Sequence, residues 1–152
     1  MLKKIIVFII VSMLCLYAYG KILSKSFYSE RYLKYYNIEF IDPLKSKRLF
    51  KEGIKDPMIL ARLLYDNKQI EILLQNDYYK PMRPLVVKYY IDYKFMNLLN
   101  DEKQEELRKI INELDLYKEE NYYAYFENKR FMQNTLIIVD PTNHFVYILD
   151  SY

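Results

Sequence analysis

Two glycines and five prolines in 152 residues leave this chain few places where the backbone can turn sharply. A β-sandwich or barrel needs a turn about every ten residues, and such turns favour glycine and proline. Hydrophobic residues make up 52% of the chain and charged residues 28%, a balance typical of a globular fold with a packed core. The sequence therefore favours one domain with long helical stretches over a fold of many short strands.

The first twenty residues have the order of a secretory signal. Lys3 and Lys4 form a short positive start, and residues 5–19 follow without a charge. Ala18 and Gly20 then place small residues where a signal peptidase reads the chain, which predicts cleavage after Gly20. Fifteen residues at about 1.5 Å each cover only about 22 Å of a hydrocarbon core roughly 30 Å thick, so cleavage is favoured over anchoring. Residues 21–152 are then expected to form a single α+β domain.

Three alternatives for this segment stay open. An uncleaved anchor that recruits residues 1–23 would span the membrane once, and it would be the chain's only membrane contact. Lipid modification of Cys15 is disfavoured because the bulky Leu14 precedes it. A buried cytosolic helix is disfavoured because the apolar run has no polar face. Cys15 is the only cysteine, so a cleaved domain would have no disulfide, thiolate metal site or cysteine nucleophile.

The net charge excludes one class of partner. The chain carries 23 basic and 20 acidic residues, a formal charge of +3, to which the leading segment contributes Lys3 and Lys4. Proteins that bind nucleic acids usually gather a basic excess on one face, because neutralisation of phosphates drives their affinity. Since no such excess is visible, we expect a protein partner and no nucleic acid.

Four or five helices are predicted between Ser26 and Leu116. Asp caps a helix well, and Pro fits its first position, so each Asp-Pro pair predicts a helix start, with Gly53 as the stop between the two helices. Asp101 with Gln104 resembles a capping box ahead of an amphipathic stripe. The segments are Ser26–Asn37, the runs opened by Asp42-Pro43 and Asp56-Pro57, Leu85–Leu99, and a helix from Asp101 with Leu107, Ile110, Ile111 and Leu114 as its apolar stripe. The periodicity of Lys68–Asn76 fits either a short helix or a strand, and the helix is favoured.

The Leu85–Leu99 segment is the most apolar part of the predicted domain. At 100° per residue its apolar side chains fall on two sides. The first side carries Leu85, Tyr89, Tyr93 and Met96, and the second carries Val87, Ile91, Phe95 and Leu98. Lys88 and Asp92 leave one narrow polar stripe, where they are spaced to pair. A helix that is apolar nearly all round is expected at the centre of the fold.

Beyond Glu120 the chain becomes rich in aromatic and β-branched residues. This composition predicts three strands joined by polar turns, and hence a C-terminal antiparallel meander. The strands are Tyr122–Glu127, Asn134–Val139 and Phe145–Asp150. The predicted fold is therefore α+β: four to five helices followed by a three-stranded antiparallel β-meander. Because both faces of the middle strand are apolar, the second face needs a cover, either the N-terminal helices, a second copy or a partner.

The residues that carry catalysis are scarce. His144 is the only histidine, which leaves no triad and no histidine metal site. It lies beside a turn, with Asp140 and Asp150 as its potential partners, but no nucleophile motif accompanies it. Two glycines cannot build a phosphate-binding loop. The sequence therefore predicts no metal and no cofactor, and it favours a structural role for His144.

Tyrosine is the outstanding residue type, with 18 copies. It offers a broad ring with a polar tip and loses little rotamer entropy, properties that suit protein interfaces and sugar platforms. A compositional bias of the genome would give the same excess, so abundance alone indicates no site. We predict an aromatic binding surface at Tyr122, Tyr123 and Tyr125 on the first strand of the meander, where edge-strand aromatics are common anchors.

These features favour a small, exported, non-enzymatic binding protein of a bacterial cell envelope that acts by protein contact. An inhibitor or immunity-type protein fits, since such a role needs export and compactness but no catalytic residues. It would be periplasmic or extracellular after cleavage. The alternatives are a membrane-anchored structural or assembly component of the inner membrane, and a small hydrolase that uses His144 with Asp140 or Asp150.

Overall fold

The computed structural model describes residues 11–13, 36, 40–53, 58–129 and 133–151. The chain divides into two compact units, Met1–Asp42 and Pro43–Tyr152. In the first unit, residues 11–13 and 36 are helical and Phe40 is buried. Apart from those positions, the predicted signal sequence with its cleavage after Gly20 and the predicted Ser26–Asn37 helix lie outside the described residues.

Six antiparallel strands form one sheet in the second unit, in the order β1-β2-β6-β5-β4-β3. They are β1 (Lys45–Glu52), β2 (Met58–Leu64), β3 (Lys80–Pro81), β4 (Tyr122–Asn128), β5 (Gln133–Asp140) and β6 (Phe145–Ser151). The fold is α+β, as predicted, but the predicted three-stranded meander is wrong, because the sheet has six strands. The three predicted strands do pair in sequence, and they continue into β3 on one side and into β2 and β1 on the other.

The helices predicted after the two Asp-Pro pairs are wrong, because both runs form strands, β1 and β2. β2 lies between β1 and β6, so both of its edges are paired, and all seven of its residues are buried or half-buried, on both faces of the sheet. A strand in that position is a nearly continuous apolar run, which periodicity cannot separate from a buried helix. Gly53, with φ 84°, adopts the predicted left-handed conformation, but it follows a strand and not a helix.

A β-bulge in β1 hides the alternation that would have identified a strand. The register with β2 shifts between Arg48 and Phe50, so Leu49 is the extra residue. Phe50 is buried in the core beside a partly buried Leu49. Two consecutive apolar residues that both contact the core are unusual in a regular strand, and a bulge permits them.

Two predicted helices are confirmed. α1 (Asn67–Leu74) begins after Asp66, whose side chain accepts a hydrogen bond from the amide of Gln69, and the Asp66 amide in turn donates one to the Gln69 side-chain oxygen. α3 (Asp101–Glu113) carries the predicted stripe, with Leu107 and Ile111 buried. Its N-cap is Asn100 and not the predicted Asp101, because the Asn100 side chain accepts a hydrogen bond from the amide of Lys103.

The predicted Leu85–Leu99 helix is a continuous helical stretch built from three kinds of turn. It consists of α2 (Pro84–Tyr90), a π-helical turn (Ile91–Phe95) and a 3₁₀ turn (Met96–Leu98). We call Pro84–Leu98 the ridge segment. Its predicted central position is wrong, since only one of its sides is buried: Leu85, Tyr89, Tyr93 and Leu98 are exposed.

The main core lies between the sheet and the helical layer formed by the ridge segment and α3. The ridge segment contributes Val87, Ile91 and Phe95, each at most 1% exposed. α3 contributes Leu107 and Ile111. Alternate residues of the central strands face the opposite way and are buried too, among them Leu63, Ile137 and Ile148. Both faces of the sheet are therefore buried, as the continuous apolar run in β5 indicates.

Candidate functional site

An apolar ridge runs along the outward side of the ridge segment. Its side chains are exposed by 84% at Leu85, 52% at Tyr89, 62% at Tyr93 and 63% at Leu98. The first three are spaced four residues apart, so they form one stripe along the helix. Scattered exposed apolar residues are normal on a protein surface, but a contiguous stripe of large ones marks an interaction site. We call these four side chains the ridge.

The π-helical turn sets which side chains face outward beyond Tyr90. The amide of Met96 donates to the carbonyl of Ile91, five residues back, so the turn contains one residue more than an α-helical turn. This extra residue shifts the phase of the helix: Met96 moves into the core and Leu98 moves out to the surface. A helical wheel at 100° per residue placed Met96 with Leu85 and Leu98 with Val87, because it assumed a regular α-helix. Such π turns occur frequently at functional sites.

Aromatic contacts hold the base of the ridge against the sheet. Tyr89 contacts Tyr93 with ring centroids 4.7 Å apart, and it contacts Tyr90 at 6.1 Å. Tyr90 stacks on Tyr125 of β4 at 4.0 Å with the ring planes 9° apart. The Lys94 ammonium also reaches Glu127 on β4, at 3.3 Å. The ridge is thus presented on a braced helix, and a surface that is already ordered loses less entropy when it binds.

A cleft of about 390 Å³ separates the ridge segment from α3. Ile91, Met96 and Ile111 line its floor, and Leu85 stands at its edge. Asp92 Oδ1 and Arg108 Nη1 form an ion pair across it, 3.2 Å apart. Asp92 therefore pairs with α3, and not with Lys88 as its spacing suggested. Burial, followed by the nearby Asp92 charge, raises the pKa of the Tyr117 hydroxyl that also lines the cleft.

The two helical elements beside the cleft differ in net charge, although the charged side chains that line the cleft itself are Lys88, Asp92 and Arg108. From Arg83 to Leu98 there are three basic residues and one acidic residue. Along α3, Asp101–Glu113, there are five acidic residues and three basic ones. Arg83 and Lys88 are exposed, and within the described ranges neither forms a salt bridge. The same holds for Glu102 and Glu105 on α3, so the charges are available to a second molecule.

The predicted aromatic surface on β4 is divided between the two faces of the sheet. Tyr123 is 6% exposed and belongs to the core, and Tyr125 shares its face, half-buried under Tyr90. Tyr122 is half-buried on the opposite face, because neighbouring residues of a strand alternate. β3 pairs with Tyr122 and Tyr123, so only the remainder of β4 forms an edge within the described residues. Tyr125 is the member that contacts the ridge segment, through its stacking on Tyr90.

His144 and the two aspartates do not come together as one group. His144 lies in the turn between β5 and β6 with φ 57°, and its carbonyl accepts from the Tyr65 amide. The Asp140 carboxylate accepts from the Asn143 amide at 3.0 Å and from the Asn143 side chain at 2.8 Å. Asp150 accepts from the Thr135 hydroxyl near the other end of β6, about 20 Å from His144 at about 3.3 Å per residue. Asp140 is the only one of the two that shares the turn with His144.

No group of three or more His, Cys, Asp or Glu side chains with the spacing of a metal site occurs in the described part of the chain. Within the same residues, no helix combines the length and the apolar character needed to cross a membrane.

The ridge is the feature that sequence reasoning missed as a surface. The four-residue spacing of Leu85, Tyr89 and Tyr93 was visible, but the stripe was assigned to the interior because both sides of the helix are apolar. The available signal was chemical: two of these three residues are tyrosines, whose hydroxyl keeps contact with water, whereas the opposite side carries Val87, Ile91 and Phe95, which have no polar atom.

No protein-family model, no curated protein and no solved structure matches the chain.

Proposed function

We propose that this chain is an exported, non-enzymatic binding protein of a bacterial cell envelope, and that the ridge is the surface through which it contacts another protein. The order of charged, apolar and small residues in the first twenty positions supports export. The scarcity of catalytic residue types in the sequence supports a binding role. An inhibitor or immunity-type protein is the concrete form of this role.

One observation carries the proposal: the ridge is large, apolar and not needed by the core. Leu85 is 84% exposed, while Val87 two residues later is fully buried. The helix therefore has a complete inward side, and a polar outward side would have served its stability equally well. Leucine and tyrosine on a braced helix instead provide the aromatic and aliphatic anchors on which protein interfaces depend.

The flanking charges indicate the chemistry of the partner. Arg83 and Lys88 border the ridge at its N-terminal half, and both are exposed. A partner surface that complements them has an apolar centre and an acidic rim, since opposite charges at the rim steer association and reject wrong partners. We therefore expect the partner to present carboxylates beside its apolar contact.

Site-specific photo-crosslinking tests the proposal. The full chain, with a photoreactive phenylalanine analogue at Tyr93, is expressed in cells, irradiated, and its adducts are identified by mass spectrometry. The matched control carries the analogue at Ile72 of α1, which is 43% exposed. We expect a single defined adduct from position 93 and none from position 72.

The same experiment continues with the purified partner. Leu85→Gln combined with Tyr93→Gln should weaken binding at least about tenfold, because each substitution removes an anchor of the type that dominates interface energies. Gln matches the helix propensity of the replaced leucine, so the helix itself is retained. Equal adducts from both positions, or an affinity that the double variant leaves unchanged, would contradict the proposal.

Intact mass of the protein recovered from cells tests the export component. A mass that begins at Lys21 supports cleavage after Gly20. Retention of Met1 in a membrane fraction would instead support an uncleaved anchor, and retention of Met1 in the cytosol would contradict export.

A further inference from the structure

Basic side chains collect on β1, at one edge of the sheet. The second unit as a whole is neutral, with 17 basic and 17 acidic residues. β1 alone carries four basic residues and one acidic residue, and all four basic ones are exposed: Lys45, Lys47, Arg48 and Lys51. Lysine along an edge strand discourages pairing with other chains, and that role requires only that cations stand on the edge. The register with β2 arranges two of these cations more specifically.

Three cations share one face of the sheet at this edge. Lys47 lies directly opposite Arg62 of β2, and Lys45, two residues before Lys47, lies on the same face. Side chains directly opposite each other have Cβ atoms about 4.5–5.5 Å apart, and like charges in that position are destabilising. Within the described residues none of the three forms a salt bridge. The fold thus keeps a repulsive pair that no carboxylate neutralises. We call Lys45, Lys47 and Arg62 the basic corner.

Aromatic side chains of β6 hold the Arg62 guanidinium in place. The Arg62 side chain is half-buried, and its guanidinium carbon lies 4.6 Å from the centre of the Phe145 ring. Burial and the Asp140 charge raise the pKa of the Tyr147 hydroxyl, and the nearby Arg62 guanidinium has the opposite effect. Asp140 lies two strands away from Arg62, at least about 10 Å, and its carboxylate accepts two hydrogen bonds from Asn143. These contacts orient the guanidinium and leave its charge unneutralised.

We propose that the basic corner binds a phosphoryl group. A phosphate monoester carries a charge of about −1.5 to −2 at neutral pH and has three acceptor oxygens. The planar fork of Arg62 donates two parallel hydrogen bonds to two of them, and the Lys47 ammonium reaches the third from the neighbouring strand. Lys45 starts about 7 Å further along β1, a gap that its long side chain closes. A carboxylate has one charge and two oxygens, so it would leave part of the repulsion in place.

NMR titration of the full chain, in the form that accumulates on expression, tests the site. The probe is glycerol 3-phosphate, added at constant ionic strength. We expect amide shifts that saturate and that concentrate at residues 45–47 and 62. Arg62→Gln should raise the dissociation constant at least about tenfold and Lys47→Gln at least about threefold, because each removes a charge-assisted hydrogen bond. Acetate at the same concentrations should give no saturating shift.

Arg48→Gln with Lys51→Gln is the matched control for Lys47→Gln with Arg62→Gln. Both double variants lower the net charge by the same amount, but the register places Arg48 and Lys51 on the opposite face of the sheet. The control should leave the dissociation constant within about twofold, because its charges act on the ligand only at long, screened range. Circular dichroism should be the same for all variants.

The melting temperature gives a second measurement of the same site. Without ligand, Lys47→Gln should raise it, because the substitution removes the like-charge pair with Arg62. Glycerol 3-phosphate should raise the melting temperature of the unsubstituted protein, because a ligand that binds only the folded state stabilises it. The ligand should have a smaller effect on Lys47→Gln, which binds it less tightly. A fall in the melting temperature of Lys47→Gln without ligand would contradict the repulsion on which the site rests.

Vesicles separate the two sources of a phosphoryl group, a soluble phosphomonoester and a lipid headgroup. Cosedimentation with phosphatidylcholine vesicles that contain phosphatidic acid, if lost in Lys47→Gln with Arg62→Gln, assigns the headgroup. Saturable binding of glycerol 3-phosphate without such cosedimentation assigns a soluble ligand. Absence of both, equal binding of acetate, or equal weakening by the control pair overturns the phosphoryl site. The basic corner shares no residue with the ridge, so each of these outcomes leaves the crosslinking test at position 93 unaffected.

Discussion

Both sides of the ridge segment carry large aliphatic and aromatic side chains, but their environments are opposite. Phe95 is fully buried, and Tyr93, two residues earlier, is 62% exposed. Val87 is also fully buried, and Leu85, two residues before it, is the most exposed of the large hydrophobic residues in the described structure. The difference teaches that an apolar residue on a helix can serve the core or a surface, and that only the neighbouring layer decides which.

The inward side is fixed by the sheet below it. Val87, Ile91 and Phe95 belong to the same core cluster as Leu136 and Leu149 of the central strands. The outward side has no such layer, and α3 beside it leaves a cleft instead of a cover. The comparison therefore predicts large effects on stability from inward substitutions and effects on binding from outward ones.

Phe95→Ala should give the largest loss of stability. The side chain is fully buried, so its removal loses the transfer free energy of the ring and leaves a cavity. We expect the free energy of unfolding to fall by about 3–5 kcal/mol. Denaturant titration followed by circular dichroism measures the change. A loss below about 1 kcal/mol would contradict this comparison, because the buried side of the ridge segment would then contribute little to the stability of the core.

Asn100→Ala tests the N-terminal cap of α3, which follows the ridge segment in the chain. The Asn100 side chain caps α3 by accepting from the Lys103 amide at 2.9 Å. Loss of such a cap typically costs about 1 kcal/mol of unfolding free energy. Asn112→Ala, on an exposed turn of the same helix, is the matched control and should not lower stability. Equal effects of the two substitutions would show that the cap is not formed.

Asp92→Asn probes the border between the two sides. It removes the ion pair with Arg108; the Asp92 side chain is 29% exposed and the Arg108 side chain 48%. Solvent screens a pair of this kind, so we expect a loss of only about 0.2–1 kcal/mol. The loss should shrink further at high salt. A double-mutant cycle with Arg108→Gln isolates the pair, and a coupling energy of zero at low salt would place Asp92 outside this bridge.

Tyr93→Gln should have the smallest effect on stability. The residue is 62% exposed and contacts mainly Tyr89, so we expect the free energy of unfolding of the monomer to change by less than about 0.5 kcal/mol. Measurement at the lowest workable protein concentration keeps self-association from contributing. A loss comparable to that of Phe95→Ala would show that the ridge is part of the fold, and the functional interpretation of its exposure would lose its basis.

The C-terminal half of the fold follows closely from the sequence. Capping residues, the stripe of Leu107 and Ile111, and the three β-rich runs with polar turns gave α3 and the strands β4 to β6 to within one residue at most boundaries. These elements are regular, and each buries one or two faces with a period that the sequence displays. Local chemistry and tertiary environment agree there.

The β1–β2 hairpin could not be predicted for two physical reasons. Asp-Pro is good chemistry for the start of a helix, and in this fold it precedes strands. The bulge at Leu49 breaks the alternation of β1, and the central position of β2 makes its seven residues nearly all apolar. Pairing with β6, more than 80 residues away, is a long-range contact that no local pattern reveals.

The candidate site was predicted only in part. From the sequence, we predicted a tyrosine contact surface at Tyr122, Tyr123 and Tyr125. The structure places Tyr125 against Tyr90 of the ridge segment, while Tyr123 lies in the core. The exposed members, Tyr89 and Tyr93, were missed because the helical wheel shows which residues share a side and not which side the sheet covers; their hydroxyl groups were the one signal for the outward side. The phase shift of the π turn depends on tertiary packing too.

Thiol labelling in living cells tests most directly whether the ridge is occupied. In a chain that carries Cys15→Ser, a single cysteine replaces either Tyr93 or Ile72, and labelling rates are compared between intact cells and the dilute purified protein. At a partner concentration of about ten times the dissociation constant, occupation slows labelling roughly tenfold. We predict that slowing at position 93 only. Equal rates in cells and in dilute solution at position 93 would contradict the central claim that the ridge is a binding surface.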